Sequence, residues 1–122
     1  MELHGRNLIG YADSREGRAA LRGVNPATGE SLEPAFAEAT TAEIDRAARA
    51  AEAAFPAFSA LAPSARAEFL RAIGREILAL GDALIARAAA ETALPAPRLQ
   101  GERGRTVAQL EMFASLVDEG SW

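Results

Sequence analysis

The spacing of apolar and polar positions changes near residue 40. Before it, short apolar runs alternate with polar, turn-forming stretches. Leu8–Tyr11 is one brief run, and Asp13–Gly17 reads as a polar turn. Leu21–Val24 and Leu32–Phe36 flank Asn25-Pro26-Ala27-Thr28-Gly29-Glu30. Pro26 presets φ for a turn, and Gly29 can take positive φ without a Cβ clash. Two short strands around such a turn predict a hairpin. Pro34 suits an edge position, because it cannot donate to a ladder.

From Thr40 onward the apolar period is helical. Thr40-Thr41-Ala42-Glu43 fits a capping box, with threonine at the N-cap and glutamate three residues on. Ile44, Ala48, Ala51, Phe55 and Phe58 then share one face. Pro56 lacks an amide donor and predicts an end or kink near Phe55. A second helix is expected from Pro63, a good first-turn residue, with Phe69, Ile73, Ile77 and Leu80 as its stripe and Gly81 closing it. Asp82 can cap a third helix, Ala83 to Thr92, with Leu84 and Ala88 facing inward. Pro95 and Pro97 then interrupt the chain. A fourth helix is expected from about Arg98 to Glu119, on a stripe of Val107, Leu110, Ala114 and Val117. Gly101 and Gly104 sit in its first turns, where each costs about 1 kcal/mol against alanine. They mark close approach of a backbone or ligand, or a frayed start.

The residues therefore predict a mainly α segment: strands and a hairpin over 1–39, then about four helices over 40–122. No βαβ alternation appears, so a parallel sheet would need further chain. At 122 residues this is one small domain or part of a larger one. Much of the apolar content is alanine, which buries little area per residue.

The net charge of −4 and 17 acids against 13 bases leave no strongly basic face, which argues against nucleic acid as a partner. All 13 bases are arginine. Cysteine is absent, which removes disulfides, thiolate metal sites and cysteine nucleophiles. The N-terminal residues carry acids and no long apolar core, unlike a secretory signal. No apolar run is long enough to span a bilayer. A cytoplasmic protein is the expectation. No metal site is expected, and His4, the sole histidine, is expected in a flexible terminus without a chemical role. Asp118 and Glu119 read as solvated helix-end acids. Around Arg98–Thr106, RLQGERGRT, three arginines and a glutamate surround two glycines at a helix start. Arg98 and Glu102 are four apart and can pair, for a few tenths of a kcal/mol. Gly101, Arg105 and Ala108 share a face, and Arg103 points elsewhere.

NPATGE, the Ala-rich helix AARAAEAAFPAF, the arginine-bearing helix SARAEFLRAIGREI, GDALIARAAAETALP and the long helix ending at GSW occur in this order. In order and spacing they resemble the start of an aldehyde dehydrogenase over residues 7–122. GERGRT makes the chain most similar to the branch that oxidises 2-oxoglutarate semialdehyde. Ala93 stands where the family more often has glycine, so the local turn is expected not to depend on positive φ there.

The resemblance implies an α/β parent fold, with this segment as the N-terminal part of the cofactor-binding domain, cut short at its C-terminus. It implies an NAD- or NADP-dependent oxidation of a small aldehyde by a homo-oligomer. In that chemistry a cysteine thiolate attacks the aldehyde and a glutamate activates the hydrolytic water. No cysteine and no Gly-rich strand–helix turn are present, so no catalytic or cofactor-binding residue carries over, and the segment alone is expected to be inactive. Trp122 would lie inside the longer chain. The fourth helix would border the substrate tunnel, where a carboxylate-bearing semialdehyde needs a cation. Arg105, with Gly101 one turn before it, is the tunnel candidate. Succinate semialdehyde, betaine aldehyde and broad-range enzymes of the family are the nearest alternatives. A non-catalytic helical interaction module is the alternative of a different class.

Overall fold

The computed structural model describes residues 3–121. The chain divides into two compact units, one up to Ala60 and one from Leu61 onward.

The first unit opens with a hairpin of two three-residue strands, β1 (Asn7–Ile9) and β2 (Ala12–Ser14), in which Asn7 faces Ser14 and Ile9 faces Ala12. Its two-residue loop is Gly10-Tyr11, with φ of 56° and 71°. Two positive φ values match the twist of a tight hairpin. Asp13 thus lies in a strand, not in the polar turn expected over Asp13–Gly17. The second hairpin pairs β3 (Ala19–Val24) with β4 (Ser31–Ala37), around the turn the sequence predicts. The Asn25 amide donates to the Glu30 carbonyl at 2.9 Å, Asn25 Oδ1 accepts from Ala27 N–H at 2.9 Å, and Gly29 has φ of 75°.

Helix α1 (Thr41–Ser59) starts with the predicted capping box. Thr40 Oγ1 accepts from Glu43 N–H at 3.2 Å, and Glu43 Oε2 accepts from Thr40 N–H at 2.8 Å. Glu43 also ties the helix to the first hairpin: its Oε1 accepts from Ser14 Oγ at 2.5 Å and from Glu16 N–H at 3.2 Å. Its side chain is fully buried. The Ser14 hydroxyl, and then the backbone amides of Thr40 and Glu16, hold its carboxyl down at about 2. Contrary to expectation, α1 continues through Pro56 to Ser59. Proline costs a helix the bond to the carbonyl four residues back. That carbonyl belongs to Glu52, and residues 49–60 are all exposed, so water can satisfy it. The stripe Ile44, Phe55 and Phe58 is likewise exposed.

The second unit holds α2 (Pro63–Ala79), α3 (Gly81–Thr92) and α4 (Ala96–Glu119). Helices α2 and α3 both pack on α4. The small residues Ala67 and Gly74 of α2 and Ala114 of α4 are buried, with Ile85 of α3. A Cβ placed on Gly74 would lie 3.5 Å from Val107 Cγ1, an ordinary contact, so the space between the two helices here takes a side chain about as small as alanine. The expected α2 stripe of Phe69, Ile73, Ile77 and Leu80 does share one apolar face, with Ile73 and Ile77 half-buried and Phe69 and Leu80 exposed. It lines an open groove with Ala72 and Glu76. The α4 stripe falls as predicted, with Ala114 buried and Val107, Leu110 and Val117 half-buried.

Three local expectations fail here. Asp82 does not cap α3, whose N-cap is Leu80 without a side-chain bond; Asp82 lies in the first turn, where a carboxylate suits the helix dipole. Pro95 and Pro97 start α4 instead of interrupting the chain: Pro95 is its N-cap and Pro97 is in its first turn, where a missing donor costs nothing. Ala93 ends α3 with φ of 57° and ψ of 15°, the left-handed conformation its lack of glycine argued against. Its N–H still reaches the Ala89 carbonyl at 2.9 Å. Trp122 lies outside the described residues.

Candidate functional site

The long helix α4 carries the candidate site. Gly120, with φ of 67°, closes it. On one side α4 meets α2, where Arg71 of α2 donates to Glu111 Oε1 at 3.1 Å and Asp118 Oδ2 at 2.7 Å. Asp118 is thus an ion-pair partner and not a merely solvated acid. Glu119, also expected to be solvated, accepts from Ser121 Oγ at 2.6 Å and Ser121 N–H at 3.2 Å, which lower its pKa.

On another face α4 is open. Glu102, Arg105, Thr106, Gln109, Leu110 and Phe113 line a groove of about 430 Å³. Residues 105, 109 and 113 are successive helical turns, which places them in one row. Arg105 is exposed and makes no ion pair or hydrogen bond among the described residues. Its neighbours differ. Arg98 pairs with Glu102 at 2.6 Å, the contact expected from their spacing. Arg103 donates from Nη1 to the Gly81 carbonyl at 2.9 Å. It lines a separate apolar groove with Ile77, Leu84, Ile85 and Leu99.

The chain thus separates Arg105 from Arg103, as the helical spacing predicts. Gly101 is exposed one turn before Arg105 and is not among the groove's lining residues. Nothing lies within 4 Å of a Cβ placed on Gly101 or Gly104, so neither glycine is pressed by the described residues. Gln109 and Phe113 line the groove with Arg105; neither was named from the sequence, although their spacing from Arg105 places them on its face. His4 is placed: its Nδ1 accepts from Arg6 N–H at 3.1 Å, and its Nε2 is 3.5 Å from Asp13 Oδ1. Among the described residues no three His, Cys, Asp or Glu side chains gather as metal ligands.

The aldehyde dehydrogenase family pattern matches residues 11–121. The chain belongs to the aldehyde dehydrogenase family. It is 50% identical over 121 residues to alpha-ketoglutaric semialdehyde dehydrogenase 2 of Azospirillum brasilense, a match covering 98% of this chain and 23% of that protein. It is 36% identical over 121 residues to alpha-ketoglutaric semialdehyde dehydrogenase of Acinetobacter baylyi, covering 99% of this chain and 23% of that protein. The chain therefore spans about a quarter of the length of these curated relatives.

Aldehyde dehydrogenases generally use a nicotinamide dinucleotide, and the described residues hold no parallel strand leading through glycine into a helix of the kind that takes its pyrophosphate. A dinucleotide pyrophosphate rests where a parallel strand turns through glycine into a helix N-terminus. The described strands form two antiparallel pairs, and the link from β4 to α1, Glu38-Ala39-Thr40, has no glycine. Among the described residues no helix is long and apolar enough to cross a membrane.

Proposed function

We propose that this chain works as the N-terminal part of a longer NAD(P)+-dependent aldehyde dehydrogenase that oxidises 2-oxoglutarate semialdehyde to 2-oxoglutarate. The parent is an α/β enzyme, cytoplasmic and homo-oligomeric, and the helices here cover part of its cofactor-binding domain. Two alpha-ketoglutaric semialdehyde dehydrogenases matched over nearly the whole chain support this reading. The chain has no cysteine, so a thiolate nucleophile would come from another part of the polypeptide.

The role of this segment is to wall one side of the substrate tunnel with the open face of α4. Arg105 holds the substrate's carboxylate. The observation that carries this is the absence of any partner for Arg105 among the described residues, beside an open groove, while Arg98 and Arg103 on the same helix are engaged. A guanidinium without a partner keeps its planar fork free for a carboxylate. In the full-length enzyme, Arg105→Ala should raise KM for 2,5-dioxopentanoate by about 10- to 100-fold, the scale of a charge-assisted hydrogen bond. KM for pentanal should stay unchanged. Equal rises for both aldehydes would refute the assignment.

A further inference from the structure

The groove beside Arg105 holds a second unengaged polar group, and its position bears on which carboxylated aldehyde is chosen. Four polar side chains line the groove: Glu102, Arg105, Thr106 and Gln109. Glu102 is occupied by Arg98 at 2.6 Å. The Thr106 hydroxyl spends its proton on the Glu102 carbonyl at 3.0 Å. Neither is a free donor. Arg105 and Gln109 have no hydrogen-bond partner among the described residues, and they sit one helical turn apart, with their Cβ atoms about 5–6 Å from each other. Leu110 and Phe113 supply apolar wall beside them.

A 2-oxo acid presents a carboxylate and an adjacent ketone oxygen, two acceptors in one plane. A guanidinium and a carboxamide one turn apart offer donors to both. We propose that Gln109 is a specificity residue that donates its amide N–H to the 2-oxo oxygen of the substrate, while Arg105 binds the carboxylate. The inference rests on the reading of Arg105 given above and names the class it selects: aldehydes bearing a 2-oxo acid, over simple carboxylated aldehydes of equal length. A site built to hydrogen-bond one substrate oxygen discriminates against the analogue that lacks it, because its own polar group is then left facing a methylene.

The test compares three aldehydes in the full-length enzyme: 2,5-dioxopentanoate, 5-oxopentanoate (the same length without the 2-oxo oxygen) and pentanal (no carboxylate). Gln109→Leu keeps comparable bulk and removes the amide at a solvent-facing position. It should raise KM for 2,5-dioxopentanoate by about two- to tenfold, the scale of one neutral hydrogen bond, and leave the other two unchanged. Inhibition by 2-oxoglutarate should weaken by the same factor while inhibition by glutarate does not, a readout that survives any fall in kcat. If Gln109→Leu affects both carboxylated aldehydes alike, or neither, while Arg105→Ala still spares pentanal, the Gln109 assignment is overturned and the Arg105 reading stands. If Arg105→Ala weakens all three alike, the carboxylate reading itself fails.

Discussion

Replacing Ala93 with glycine should stabilise the protein, the reverse of what a helix-rich segment usually does on losing an alanine. Ala93 closes α3 at φ 57° and ψ 15°. The left-handed conformation costs an L-residue with a Cβ roughly 1–2 kcal/mol, and glycine avoids that cost. Glycine's wider unfolded ensemble takes back about 0.4–1 kcal/mol. The closing bond from Ala93 N–H to the Ala89 carbonyl at 2.9 Å is unaffected, because it uses only backbone. The net expectation is a gain of about 1 kcal/mol. Ala86, exposed in the interior of the same helix, provides the control. There glycine brings no relief and costs about 1 kcal/mol. Urea and thermal unfolding of the 122-residue chain, followed by far-UV circular dichroism, should show Ala93→Gly raising Tm and Ala86→Gly lowering it. For a unit of this size, each change is about 4–8 °C. Two variants shifting the same way would refute the argument, since the conformation at residue 93 would then not be strained.

Two further predictions concern the first unit's carboxylate and the second unit's core. Glu43 has its pKa lowered from 4.5 to about 2 by Ser14 and the amides around it, so its contribution is complete above pH 4.5 and is lost as pH falls through about 2. Tm measured between pH 2 and 6 should fall more steeply for the wild type than for Glu43→Gln; equal slopes would contradict the assigned bonds. At Gly74, alanine should be accepted, since its Cβ reaches ordinary contact with Val107 Cγ1 at 3.5 Å, whereas Gly74→Leu should cost about 1–3 kcal/mol by forcing α2 from α4. Chemical denaturation of the two variants reads this, and a tolerated leucine would mean the helices are not in close contact.

Much of the fold was legible where the signal is local. The NPATGE turn and the Thr40–Glu43 capping box each satisfy their backbone groups within a few residues, so sequence spacing suffices to find them. The α4 stripe was legible because Val107, Leu110, Ala114 and Val117 recur at helical spacing and are buried or half-buried. The first hairpin was not, since Gly10-Tyr11 puts a tyrosine in a left-handed position that sequence rules reserve for glycine or asparagine. The fully buried positions of α2 were not named, because large apolar residues draw attention, while Ala67 and Gly74 pack by being small. Pro56 and Ala93 were misjudged for a related reason: each local rule states a cost of about 1–3 kcal/mol, and an exposed carbonyl or a closing turn can bear it. The bonds from Ser14 and Glu16 to Glu43 span 29 and 27 residues, beyond any local pattern. For the candidate site, the family resemblance pointed to Arg105 and helical spacing set it apart from Arg103; the structure added that Arg103 is engaged by the Gly81 carbonyl and that Gln109 lines the groove with Arg105.

The most direct test is the rate of NAD(P)H formation at 340 nm by the full-length protein that carries this chain, with 2,5-dioxopentanoate and with pentanal. The account predicts a higher kcat/KM for 2,5-dioxopentanoate and loss of that preference in Arg105→Ala. Equal kcat/KM for the two aldehydes, or a preference that survives Arg105→Ala intact, would contradict it.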